Sequence, residues 1–341
     1  MISMKQLAKC SAGLAALAVP AAAHADVTIG PRFSYYIDNS NLRSSNVDGL
    51  RDALRVVDDQ VTADLRAALN PAQVTLTEAD NGNATNADQI TFPMFGALVN
   101  FGDDRDRFTI MGMYGKGTTR NELVSTRELT LMVDAATFNE ISVIETVSDD
   151  EIERFDVELT WQRRLNERLA ILGGVRYERL DKTGSGQVSI TDTDEVRQFI
   201  SGTLGNIDPG QAAFGAPQRL STVSMLETYS ARIGVTAFVP ASENTVLFFS
   251  GMVQGGYQPS TPVDTQFFDQ NGLVVREEAR KDRSEFSAGP DFAVGAQFML
   301  ADDIALDVRY RAIVSFPLSG ELSFSDTRIN HGVNLGVSFR L

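Results

Sequence analysis

Ten segments of this 341-residue chain alternate apolar with polar or small residues, and nothing else in it restricts the fold as strongly. Val27, Ile29, Phe33, Tyr35 and Ile37 share one face of an extended chain, while Thr28, Gly30, Arg32, Ser34, Tyr36 and Asp38 share the other. Successive side chains of a strand point to opposite faces, so this alternation predicts a surface with grease on one side and polarity on the other. The first face suits lipid and the second a wet interior. Similar segments run approximately over residues 90–101, 107–115, 152–163, 168–180, 226–239, 245–257, 286–300, 304–316 and 329–341. Most reach the roughly 9 to 11 residues that a tilted strand needs to cross a bilayer.

The connections alternate in length. Short turns lie at residues 102–106, 164–167, 240–244 and 301–303, whereas the stretches at about 39–89, 116–151, 181–225, 258–285 and 317–328 are long. Short turns at one end and long loops at the other put both chain ends on the short-turn, periplasmic side and make the strand number even. No apolar run after residue 25 approaches the roughly 20 residues of a transmembrane helix, so a closed barrel is the one membrane-spanning form open to this chain. The aromatic residues sort by end. Tyr35, Tyr114, Tyr177, Tyr229, Tyr257 and Tyr310 fall toward the loop ends of their segments, while Phe101, Phe108, Trp161, Phe298 and Phe339 fall beside the short turns or the C-terminus, as two interfacial girdles would. The expected fold is an all-β, antiparallel up-and-down transmembrane barrel of ten strands. Twelve is the alternative, because Leu129, Leu131 and Val133, then Ile141, Val143 and Val147, form two further short runs. The ten-strand reading assigns those runs to an extended external loop.

The first residues follow the order of a secretory signal. Lys5 and Lys9 precede a short apolar run from Leu14 to Val19, and Ala23-His24-Ala25 offers a cleavage site. Residues 1–25 are therefore expected to be removed, leaving 26–341 as a single barrel domain with no linker inside it. Cys10, the one cysteine of the chain, leaves with the signal, so neither a disulfide nor a thiol-ligated metal is available afterwards. The formal charge of −15 for the whole chain argues against a nucleic-acid partner.

The chain ends in Asn334-Leu335-Gly336-Val337-Ser338-Phe339-Arg340-Leu341. This resembles the C-terminal signal of Gram-negative outer-membrane β-barrels: polar, any, Gly, two of any kind, aromatic, any, hydrophobic. The resemblance implies that Asn334, Gly336, Phe339 and Leu341 are read by the barrel assembly machinery. It also implies that the protein lies in the bacterial outer membrane among phospholipid and lipopolysaccharide. The ending departs from the commonest form in having Leu341 in place of Phe. In general organisation the resemblance covers the whole exported chain, and it is to a broad porin-like class.

Several loop segments carry signals of their own. Val47, Leu50, Leu54, Val57, Val61, Leu65 and Ala68 recur at three- and four-residue steps before Asn70-Pro71, which predicts a helix in the first external loop, either narrowing the barrel mouth or capping the loops. Val196, Phe199, Ile200 and Leu204 suggest a shorter one. Asn271-Gly272, between Phe267-Phe268 and Leu273-Val274-Val275, is a hairpin signal that would extend the wall above the membrane. The polar run at residues 80–88 lacks the alternating oxygen ligands of a calcium loop and reads as a solvated turn cluster.

Inward parity collects Arg32, Arg154, Arg176, Arg232, Arg309 and Arg311 with Asp156, Glu158, Glu178, Asp291 and Asp307. In a narrow ten-strand lumen these groups should meet. They either fill the interior as an ion-pair network or form a constriction that sets ion selectivity. Ten-strand omptin proteases use an Asp-His pair with further aspartates, and the outer-membrane phospholipase and lipid A deacylase use a Ser-His arrangement. The exported chain holds a single histidine, His331, at the outward parity of its segment and outside any such context. No enzyme, cofactor or metal is expected. Two functions fit: a small passive channel for ions or small polar solutes, narrowed by loop and luminal charges, or a non-conducting surface barrel whose long acidic loops bind a host, phage or envelope partner. The expected state is a monomer.

Overall fold

The computed structural model describes residues 27–38, 74–80, 90–133, 136–191, 218–260, 262–268, 274–281, 284–318 and 327–341. The two expected loop helices, at residues 47–68 and 196–204, and residues 81–88 of the polar run lie outside the described residues.

The described strands are β1 (Thr28–Asp38), β2 (Val74–Asp80), β3 (Ile90–Gly102), β4 (Asp106–Val133), β5 (Ala136–Asn166), β6 (Leu169–Thr191), β7 (Gln218–Ser242), β8 (Thr245–Gln258), β9 (Pro262–Phe268), β10 (Val274–Lys281), β11 (Glu285–Ala301), β12 (Ile304–Pro317) and β13 (Arg328–Arg340). Ten of them close a ring in the order β1-β3-β4-β5-β6-β7-β8-β11-β12-β13, every pairing antiparallel, with β13 returning to β1. This is the ten-strand up-and-down barrel of outer-membrane proteins, in which no membrane-embedded edge is left open.

The remaining strands lie above the ring. β9 and β10 form the hairpin expected around Asn271-Gly272, and β9 lengthens the wall by pairing with β7 over Arg219–Ser224. β2 pairs with the far end of β4. The segments that raised the question of twelve strands are the far ends of β4 and β5, which stay in register from Asp106↔Arg163 to Val133↔Ala136. They add length to two strands already in the ring, so the number stays at ten. At about 3.4 Å per residue, residues 116–133 carry this hairpin on the order of 60 Å along the strand direction.

Outward residues of the ring are large and apolar, with Ile233 67% and Val253 65% exposed, as a lipid-facing wall requires. At the long-loop end Tyr177, Tyr229, Tyr257 and Phe286 occupy one register row. Their ring centroids stand 5.2 Å apart for Tyr177 and Tyr229, and 4.9 Å for Tyr257 and Phe286. At the short-turn end Phe101 stacks on Phe108 at 5.5 Å, and the Trp161 indole donates to Asp106 Oδ1 at 3.1 Å. The turn between β3 and β4 begins at Gly102, whose φ of 136° suits glycine. Asp103 Oδ1 then accepts the backbone N–H of Arg105 at 2.8 Å and of Asp106 at 2.6 Å, and these two bonds hold its carboxyl below the usual carboxylate range.

The inward face differs from the uniformly polar interior that alternation suggests. Tyr36, Ile90, Phe92, Met94, Met113, Ile152 and Leu180 form one buried apolar cluster inside β1 and β3–β6, toward the long-loop end. A ten-strand ring encloses little more room than side chains can fill, so inward apolar groups find one another and exclude water.

Candidate functional site

The pleat of β5 places Arg154, Asp156 and Glu158 on one luminal face, and β6 adds Arg176 and Glu178. Register sets Asp156 directly opposite Glu178, a repulsive pair unless cations lie between them. Arg154 and Arg176 do so. Arg154 Nη2 donates to Asp156 at 3.2 Å and Glu178 at 3.1 Å, and Arg176 Nη2 donates to the same carboxylates at 3.0 and 2.5 Å. Arg154 Nη1 also reaches Asp38 of β1 at 3.3 Å, and its guanidinium lies over the Tyr36 and Phe92 rings at 5.2 and 5.7 Å. Arg328 of β13 donates to Asp38 at 2.8 Å and pairs with Glu178, while Asn330 Nδ2 donates to Asp38 at 3.3 Å. Three guanidiniums thus meet three carboxylates.

A second knot lies beside the first. Arg311 grips Asp291 with two parallel bonds, Nε at 2.8 Å and Nη2 at 2.6 Å, and gives Nη1 to Glu158 at 2.8 Å. Arg232 pairs with Glu158 and with Asp291, the latter at 3.2 Å, and also donates to Thr160 Oγ1 at 2.5 Å. Two cations meet two anions here. Arg311 and Glu158 belong to β12 and β5, strands five places apart in either direction round the ring, and the same holds for Arg328 on β13 and Glu178 on β6. Both pairs therefore span the full width of the lumen. A cavity of about 30 Å³ adjoins the first knot, bounded in part by Arg176, Glu178, Gln254, Ser315, Arg328 and Asn330. It has room for about one or two waters.

Arg32, Asp307 and Arg309 stand apart toward the short-turn end. Arg32 Nη2 donates to Ser338 Oγ at 3.0 Å, Arg309 and Asp307 approach only to 3.8 Å, and the Arg309 guanidinium lies 5.2 Å from the Phe248 ring centre. Beyond the network on the long-loop side, Lys182 and Asp150 pair at 3.1 Å, each 3% exposed. Burial there pushes the Lys182 ammonium below its ordinary range, with Asp150 opposing the shift.

The structure thus joins eight of the eleven charges picked by parity and leaves Arg32, Asp307 and Arg309 as a separate group. It adds Asp38, Arg328, Asn330, Lys182 and Asp150. Asp38 stood on the polar face of the first alternating segment. The others fell in stretches read as loops or at their borders, where the strands in fact continue. Of the C-terminal motif, Asn334 faces inward and accepts from Ser34 at 2.5 Å and Tyr36 at 3.1 Å, Gly336 lies under Arg32, and Phe339 faces outward. Leu341 lies past the end of β13 and donates its N–H to Val27 at 2.9 Å. His331 Nδ1 lies 3.0 Å from the Tyr310 hydroxyl beside the outer girdle.

No protein-family model and no curated relative matches the chain. Similar solved structures include the outer membrane protease OmpT of Escherichia coli, at 10% identity over 93% of this chain and 97% of that one with a TM-score of 0.42. The attachment invasion locus protein Ail of Yersinia pestis matches at 14% identity over 59% of this chain and 97% of its own, TM-score 0.24. The Pseudomonas putida toluene transporter TodX matches at 10% identity over 91% and 89%, TM-score 0.27. At these identities and scores no function passes from any of them to this chain.

Proposed function

We propose that the chain is a non-conducting barrel of the bacterial outer membrane, exported with loss of residues 1–25, whose tall external sheet serves as a binding surface for a host, phage or envelope partner. The observation that carries this reading is the pair of ion bridges that cross the lumen, Arg311–Glu158 and Arg328–Glu178. An aqueous path would have to part them. Parting them would give up ion pairs in a poorly solvated interior and leave Arg311 and Arg328 each to a carboxylate on its own side of the lumen. The apolar cluster around Phe92 and Met94 occupies space beside the network. Outside the ring, β10-β9-β7-β6-β5-β4-β2 forms a broad sheet on the side that faces the exterior in outer-membrane barrels. The girdles would seat the monomer among phospholipid and lipopolysaccharide.

Planar-bilayer recording of the mature protein tests this. The expected result is no single-channel conductance, with conductance appearing when both bridges are removed by combining Glu158→Ala, Arg311→Ala, Glu178→Ala and Arg328→Ala. A steady conductance of the unaltered protein at low voltage overturns the proposal and favours the narrow channel, which draws its own support from the partial exposure of Arg309, 33%, and Asp307, 16%, at the short-turn mouth. Protease treatment of whole cells should cut only in the external segments.

A further inference from the structure

We infer that the short-turn end of the lumen holds a binding site for a small oxyanion, a phosphate- or carboxylate-bearing molecule that enters from the periplasm.

The luminal charges divide by level. The two knots toward the long-loop end are balanced, whereas the group toward the short turns sets two guanidiniums against the single carboxylate of Asp307. Arg32 is 9% exposed and, among the described residues, forms no ion pair. A buried guanidinium without a counter-ion is costly, and proteins normally pair it.

The hydrogen-bond pattern points the same way. Arg32 Nη1, Arg309 Nε and Asn334 Nδ2 are buried donors with no hydrogen-bond partner among the described residues; the other such donors, Nε of Arg154, Arg232 and Arg328, belong to guanidiniums whose remaining nitrogens already hold carboxylates. The first three lie in neighbouring rows of three adjacent strands. Register aligns Arg32 with Gly336 and Asp307, and aligns Ser34 with Asn334 and Arg309. The buried oxygens without a hydrogen-bond partner, those of Thr119, Asp156, Glu178, Thr327 and Asn330, all belong to the long-loop half, and that of Glu178 is paired with Arg328. Three orphan donors in adjoining rows, two of them on guanidiniums that no carboxylate holds closely, call for an acceptor with several oxygens and negative charge.

The backbone leaves room for this arrangement. A Cβ on Gly336 would fall 1.5 Å from Arg32 Nη1, so the guanidinium lies flat over Gly336 toward β12. On the other side of β12, a Cβ on Gly295 would fall 2.4 Å from Phe248 Cζ, so that ring fills the gap and backs Arg309. Arg309 and Asp307 stay partly exposed, which gives entry from the short-turn side, while the cross-lumen pairs bar the other. With Asp307 present the group carries one net positive charge, suited to a monoanion.

The test uses the mature protein folded in zwitterionic detergent, titrated with inorganic phosphate and, separately, with acetate at matched ionic strength in chloride, and read by calorimetry. Saturable binding of either probe is expected, and which one binds more tightly identifies the phosphate or the carboxylate source. Arg32→Gln and Arg309→Gln should each weaken binding at least tenfold, and Arg309→Lys should keep most of it. Asp307→Asn should tighten it severalfold, a gain that a folding defect does not produce. Heat-modifiable mobility on gels checks that each variant is folded. No saturable binding of either probe, or binding unchanged by both arginine substitutions, overturns the inference.

Discussion

Arg311 of β12 and Glu158 of β5 meet at 2.8 Å from opposite walls of the barrel, and Arg311 holds Asp291 of β11 at the same time. Glu158 in turn neutralises Arg232 as well, so one carboxylate serves two buried guanidiniums. Glu158→Gln should therefore destabilise the folded barrel by about 3–5 kcal/mol, because it leaves a cation unpaired in a dry interior. Replacing Glu158 and Arg311 together by Met should cost less than the single change. Denaturant unfolding in micelles checks both, and equal costs for the single and double variants would count against mutual pairing.

Gly336 gives way to Arg32. Gly336→Ala places a methyl where the guanidinium lies and should cost about 1–3 kcal/mol, the range of overpacked interiors. The penalty should shrink when Arg32→Ala is already present. A double-mutant cycle on unfolding free energies measures this coupling, and strictly additive costs would contradict the contact.

Depth in the lipid should govern the outward face of β7. Ile233 is 67% exposed and lies between the two girdles, whereas Tyr229 sits in the outer one. Ile233→Arg should destabilise the barrel by about 2–4 kcal/mol in lipid, and Tyr229→Arg should lose about 0–1 kcal/mol to the charge itself, apart from the lost ring contacts. Reversible unfolding in bilayers of the two variants reads the difference directly.

The turn between β3 and β4 should respond to acid. Asp103 has its folded-state pKa depressed by the amides of Asp106 and Arg105. A depressed carboxylate contributes stability above its unfolded pKa of about 3.9 and loses it as the pH falls through the lower folded value. Asp103→Asn should therefore lower the thermal midpoint near neutral pH, and the gap from the unaltered protein should close below about pH 4. Circular dichroism melts across that range supply the measurement.

Much of the barrel is written locally. The alternation of β1, the short turns and the sorting of tyrosines to one end all survive in the ring, because pleat direction and turn chemistry depend on residues close in the chain. Strand length was less legible. The far ends of β4 and β5 read as a loop with two broken runs, yet their backbones stay paired to Val133 and Ala136, since each strand is extended by its neighbour. Arg328, Lys182 and Asp150 were hidden for the same reason.

By itself, then, the order of residues determined the architecture: which groups turn toward lipid, which turn inward, and that the wall closes with an even number of strands. It did so because the period of two is a property of the extended backbone. Only the tertiary structure decided which inward groups touch. The meeting of Arg328 with Glu178, the gathering of Phe92, Met94, Ile152 and Leu180, and the isolation of Arg32 and Arg309 from the balanced network depend on strand stagger and on which strands face each other. Those relations exist once the last strand has paired with the first, and no local stretch of chain encodes them.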